Sequence, residues 1–209
     1  MLRVLAQVVA DAHFYHRLTT VGQHAATWRV LLTAFRSRGL WLLAAHRIGY
    51  FTTTRRNLRS LKWWLARVVE MPAYYLAKIR CKSEMLGDCE LEGPVYLPDG
   101  GYLMCGAARV GAGSLIHNHV TIGFGVADGN VRRPRIGREV WIGPGCIIAG
   151  DLEVGDGATL LPGTYLTYSV PPRSVIRGNP GRIIQRGYDN TRLRQSREVV
   201  YVLPDTAGG

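Results

Sequence analysis

The chain has 209 residues, a formal net charge of +11 and four cysteines. That length admits a real hydrophobic core and one or two domains. Cys81, Cys89, Cys105 and Cys146 form no CxxC pair and are too sparse for a secreted disulfide scaffold, so they read as reduced packing thiols of a cytosolic protein. The best apolar run, Leu40 to Ala45, stops at His46 and Arg47, far short of the about 20 residues of a membrane span. No signal-peptide pattern opens the chain.

The charge is uneven. Residues 1–85 hold fourteen Lys and Arg against Asp11, Glu70 and Glu84, whereas residues 86–209 hold twelve of each sign. The first part reads as a basic α-helical segment. Leu2, Leu5, Val8 and Val9 space like a short helix, which Thr19-Thr20-Val21-Gly22 breaks. From Trp28 to Phe51 the spacing is helical, with a break expected at Gly39. Thr52-Thr53-Thr54 can cap a further helix over 55–80, kinked or split at Pro72. Aromatic residues interleave with basic ones on that helix (Trp63, Trp64, Tyr74 and Tyr75 among Lys62, Arg67, Lys78 and Arg80). The pattern admits two readings: an apolar face packed on the rest of the protein or on a second subunit, and peripheral contact with an anionic membrane. No nucleic-acid-binding motif accompanies the charge.

A different rhythm begins after residue 85. Ile116, Ile122, Ile136, Ile142, Ile148, Val154, Leu160 and Leu166 recur in sixes with one interruption, and Gly follows at 123, 137, 143 and 155. Hexapeptide periodicity indicates a parallel β-helix, in which each unit is one short strand and a corner, the aliphatic points inward, and Gly eases the turn. Leu91, Leu97 and Leu103 lead in, with a slip to Met104, Val110 and Ile116. The interruption at 127–135 reads as a polar loop thrown out of one coil. Residues 86–184 are thus one β-helical domain and 185–209 a tail. Leu193 and Val199 to Leu203 are its apolar anchors, and Asp205 to Gly209 are expected to be disordered.

Ile142-Gly-Pro-Gly-Cys-Ile-Ile-Ala-Gly150, Val170-Pro-Pro-Arg-Ser-Val175 and Gly178-Asn-Pro-Gly-Arg-Ile183 resemble the hexapeptide-repeat acyltransferases. The resemblance implies a mainly β fold, a left-handed parallel β-helix after the helical segment, a homotrimer, and acetyl-CoA as co-substrate with no metal. Val120-Thr-Ile-Gly123 and the loop ending Arg-Arg-Pro-Arg-Ile-Gly137 are similar to the serine acetyltransferase branch, which also holds sugar and polysaccharide O-acetyltransferases. Serine acetyltransferases carry an Asp-His pair before the first regular coils, where this chain has Leu97-Pro-Asp99-Gly. Their loop reads Arg-His-Pro, where this chain has Arg132-Arg133-Pro134. The expected acceptor is therefore a sugar or lipid-linked polysaccharide intermediate. Serine O-acetylation and a non-catalytic trimeric scaffold are the alternatives.

Acetyl transfer to a hydroxyl needs a base, and His117 and His119 are the only histidines in the repeats. Strand alternation turns His117 outward, and His119 falls at a corner, so both are expected exposed in a subunit cleft. His117 is the favoured base, by resemblance, with His119 orienting it or binding the acceptor. By resemblance too, Gly143, Ala149, Gly150 and Gly163 would meet the CoA arm, with Arg173, Arg177 and Arg182 as candidates for its phosphates. Asp99, Arg132 and Arg133 are candidate acceptor ligands.

Overall fold

The computed structural model describes residues 2–19, 27–54, 61–85, 89–100, 103–106, 108–127 and 130–195. Among the described residues four helices lead: α1 Leu2–Thr19, α2 Thr27–Arg36, α3 Arg38–Thr54 and α4 Leu61–Cys81. The first is an 18-residue helix rather than a short one. The break between α2 and α3 falls at Ser37, not Gly39. Ser37 Oγ donates to Asp99 Oδ1 at 2.5 Å and Gly39 N donates to the same oxygen at 3.1 Å, so the carboxylate caps the start of α3. Gly39 is instead a contact residue: a Cβ there would lie 2.4 Å from the Leu97 carbonyl oxygen. Gly39→Ala should therefore cost about 2 kcal/mol in denaturant unfolding; an unchanged midpoint would show that this approach is slack. Thr52-Thr53-Thr54 close α3 rather than cap α4, and α4 runs through Pro72 as one helix.

Among the described residues sixteen strands follow: β1 Glu84–Met85, β2 Glu90–Leu91, β3 Met104–Cys105, β4 Arg109–Val110, β5 Leu115–Ile116, β6 Thr121–Gly123, β7 Gly125–Ala127, β8 Asn130–Arg132, β9 Arg135–Ile136, β10 Trp141–Ile142, β11 Ile147–Ala149, β12 Glu153–Val154, β13 Thr159–Leu160, β14 Tyr165–Leu166, β15 Val175–Arg177 and β16 Arg182–Gln185. A short helix, α5 Thr191–Arg194, ends the described chain. Three parallel faces form. The first is β2-β4-β9-β12, the second β5-β10-β13-β15, and the third β1-β3-β6-β11-β14. The chain visits them in that order on every turn, so it is a three-faced parallel coil. The six-residue aliphatics pair in register up each face, for example Val110↔Ile136↔Val154 and Ile116↔Ile142↔Leu160↔Ile176, and all are buried.

Two details of the repeat differ from expectation. On the third face the inward residue of the lead-in is Cys105, paired with Ile122, while Met104 points out. Leu97 and Cys105 are eight residues apart and Cys105 and Val110 only five, which shifts the slip by one place. The corners also are not made by the glycines that follow each aliphatic. The left-handed backbone occurs three residues after it, at Gly113, His119, Glu139, Gly145, Gly157, Gly163 and Arg173. The glycines at 137, 143 and 155 admit the next coil instead; a Cβ on Gly155 would meet the Pro172 nitrogen at 2.3 Å. The interruption is an antiparallel hairpin of β7 and β8 rather than an irregular loop, with residues 128–129 outside the described residues.

A coil must end with unpaired backbone unless something covers it. At the start, the helices do so. Tyr15 Oη donates to the Leu97 carbonyl at 2.9 Å and accepts from Leu97 N at 2.8 Å. His46 Nε2 meets the Cys89 carbonyl at 2.8 Å. Arg47 donates to the carbonyls of Leu91 and Gly93 while holding Asp11 through two bonds of 2.6 and 3.0 Å. At the far end β16 folds back antiparallel on β15. Asn190 Nδ2 then donates to the carbonyls of Glu139 and Gly157, and Leu193 is buried. Residues 199–203 and 205–209 lie outside the described residues.

Candidate functional site

The second and third faces meet at a corner where His119, Gly145 and Gly163 stack on successive coils. Gly145 N donates to the Asn118 carbonyl at 3.0 Å and Gly163 N to the Pro144 carbonyl at 2.9 Å. His119 has φ +59, Gly145 +71 and Gly163 +73. A Cβ on Gly163 would meet nothing within 4 Å, so the corner below His119 is open. The next turn down carries Gly178, whose carbonyl accepts from Tyr165 N, flanked by Arg177 and Arg182, which pair across β15 and β16 and are both exposed. Above His119 lies a cleft of about 530 Å³ between the end of α4 and the third face, lined by His119, Thr121, Met104, Lys78, Lys82 and Glu84 among others. Lys78 and Glu84 form an ion pair of 2.6 Å in it. His119 thus lines this cleft and heads a corner whose next two steps are glycines.

His117 is placed otherwise. It does point away from the coil axis, but the outer side of the second face is covered: Leu115, Trp141, Thr159 and Val175 are buried there. The His117 ring lies 4.9 Å from Trp141 and 6.2 Å from Tyr96, only 3% exposed, and its Nε2 has no hydrogen-bond partner. Burial pushes its pKa from 6.5 down to about 4. A group held below its unfolded value contributes stability above pH 6.5 that is lost as pH falls toward 4. Denaturant unfolding at pH 7 and pH 5 should show that loss in the parent chain and a shallower one in His117→Phe. The slope that remains in the variant is set by His46, which burial holds low, against Asp11, which burial pushes up to about 6 and which gains stability as pH falls, so the comparison between the two chains is the readout. Equal slopes would mean that the fold does not lower the His117 pKa.

The remaining candidates disperse. Asp99 caps α3 through Ser37 Oγ and Gly39 N. Arg132 pairs with Asp151 at 3.4 Å, and with Arg133, Arg109 and Arg135 it lines a separate cleft of about 340 Å³ on the first face. Ala149 and Gly150 flank the outer third face at its other corner, beside Gly123. Gly143 lies beneath the Trp141 ring, 2.9 Å from where a Cβ would be. Arg173 belongs to the column of Gly113, Glu139 and Gly157 on another corner, so only Arg177 and Arg182 reach the His119 corner. Lys78, Lys82 and Gly145 were not anticipated; the three-residue offset of the corner from each aliphatic would have flagged Gly145.

The described thiols offer no nucleophile. All four are buried and unbridged, and burial pushes Cys81 up to about 11 and Cys146 up to about 12. Among the described residues no three His, Cys, Asp or Glu gather as a metal would need.

Residues 133–167 match the model of the bacterial transferase hexapeptide (six repeats) family. This stretch is a transferase hexapeptide repeat. Two curated relatives extend the likeness: the serine acetyltransferase of Buchnera aphidicola, 34% identical over 84 residues, and that of Escherichia coli K12, 40% identical over 65. Those alignments cover 37% and 31% of this chain but 32% and 24% of the relatives, so the chain matches a third or less of their length. Among solved structures, a Vibrio cholerae serine acetyltransferase superimposes with a TM-score of 0.71 at 20% identity, covering 96% of this chain and 72% of that one. That likeness extends the shared fold from the hexapeptide repeat to the helical segment.

Proposed function

We propose that the chain is an acetyl-CoA-dependent O-acetyltransferase, acting as a homotrimer of left-handed coils, with His119 as the base. The observation that carries this reading is the corner column. From His119 to the turn at Gly178 is three coil steps of ~4.8 Å, roughly 14 Å. That is a length suited to an extended pantetheine arm, and Arg177 and Arg182 at its foot suit a diphosphate. Glycines at 145 and 163 let such an arm lie against backbone.

Acetyl-CoA, when bound, supplies an acetyl group activated as a thioester. The chain's own residues do the rest: the cleft above His119 positions the acceptor, and His119 takes the hydroxyl proton as the new C–O bond replaces the C–S bond and would hand that proton to the departing CoA sulfur. With no activated Cys, direct transfer suits the site better than a covalent acyl-enzyme. The exposed apolar column Met104, Ile147 and Tyr165 on the third face supports a trimer seam there. Four unbridged thiols suit a cytoplasmic location.

The names of the curated relatives support L-serine as the acceptor better than a glycan. One observation favours a sugar hydroxyl as the second reading: by the resemblance, the stretch Leu97-Pro-Asp99-Gly lacks the histidine of the serine enzymes' Asp-His pair and Arg133 stands for the histidine of their loop, and Asp99 is engaged in capping α3. The test is free-thiol release from acetyl-CoA with L-serine and, separately, with nucleotide-sugar and oligosaccharide acceptors. Release with serine alone supports the first reading, and release with sugars alone the second. No release, together with no calorimetric binding of CoA, would leave a trimeric scaffold.

A further inference from the structure

The helical segment carries a surface that the acyl-transfer reading does not use. On α2, Trp28, Leu31, Leu32 and Phe35 lie at i, i+3, i+4 and i+7, and all are exposed, Phe35 at 74%. On α4, Trp64, Leu65, Val68, Tyr75 and Leu76 make a second stripe, with Val68 at 65% exposed. The two stripes converge on a cleft of about 500 Å³, lined by Phe35, Trp41 and Leu76 and rimmed by Arg36, Arg38 and Arg80. Among the described side chains of α4, Ala77 and Cys81 are buried and Tyr74 packs against the core, while this stripe stays exposed.

Charge chooses the occupant. Asp11 and Glu70 are the only acids among residues 1–83. Both are buried, Asp11 against Arg47 and Glu70 against Arg67. The outer surface of this segment therefore offers cations and aromatic rings and no carboxylate. A second copy would bring the same unneutralised arginines face to face. A leaflet containing anionic phospholipid supplies the missing negative charge and takes up the apolar stripes at the acyl boundary. No helix among the described residues is long and apolar enough to cross a membrane, so such contact is peripheral.

We infer that the α2–α4 face docks on an anionic phospholipid surface, with the Phe35–Trp41–Leu76 cleft receiving acyl chain and Arg36, Arg38 and Arg80 meeting headgroup phosphates. The inference is independent of the acceptor at His119.

The experiment is sedimentation of the full chain with vesicles of phosphatidylcholine alone and with added phosphatidylglycerol. The chain should pellet with the anionic vesicles, with a blue-shifted tryptophan emission, and release at high salt. Arg36→Glu with Arg80→Glu should weaken partitioning at least about thirtyfold, from about 1 kcal/mol per basic residue at the surface. Phe35→Asp should weaken it while leaving the assembly mass unchanged. Circular dichroism of each variant separates lost binding from lost fold. Absence of pelleting, or equal pelleting with neutral vesicles, would overturn the inference. So would a fall in assembly mass in Phe35→Asp, which would assign the face to a second copy.

Discussion

His119→Asn should lower turnover by about 10² to 10⁴, with little change in the KM for acetyl-CoA. Asparagine is the informative replacement because the position has φ +59, where an alanine would be strained and Asn is tolerated. The variant thus keeps the corner and removes the proton acceptor. An imidazole is the side chain whose charge changes most readily near neutral pH, and His119 is the one in the repeats that an acceptor can reach. Free-thiol release under saturating acetyl-CoA is the readout. Full turnover in His119→Asn would remove it from the reaction and reopen the search for a base.

The second large effect is on stability. Arg47→Met should cost about 3 to 5 kcal/mol, because it leaves the Asp11 carboxylate buried without its partner. Asp11 is fully buried, and burial pushes its pKa up to about 6 even with Arg47 beside it. Arg47 also donates to the carbonyls of Leu91 and Gly93, so its loss uncovers the open edge of the first coil. The double variant Asp11→Leu, Arg47→Met should recover part of the loss, since an apolar pair does not strand a charge. Urea unfolding measures both, and additive losses would show that the two side chains act separately.

The hexad made the coil legible, because one buried aliphatic per six residues is a constraint that every turn repeats. The helical segment was legible as helices but not in its joints. Gly39 looked like a breaker, yet the chain uses its missing Cβ to bring α3 against Leu97, and Ser37 makes the break. The site was half legible. Alternation correctly sends both His117 and Trp141 outward, but nothing in the local pattern says that the second face is covered while the third is not. Asp99 reads from the sequence as a candidate acceptor ligand, and its partner Ser37 is 62 residues away. Contacts of that span are invisible to periodicity. The offset of three from aliphatic to left-handed corner was available in the sequence, since Gly113, Gly145, Gly157 and Gly163 all stand there.

The most direct test of the central claim is a crystal structure of the full chain with CoA bound. The account predicts the pantetheine arm along the Gly145–Gly163 corner, its sulfur beside the His119 ring and its diphosphate at Arg177 and Arg182. CoA seated on another corner, with its sulfur remote from His119, would contradict it.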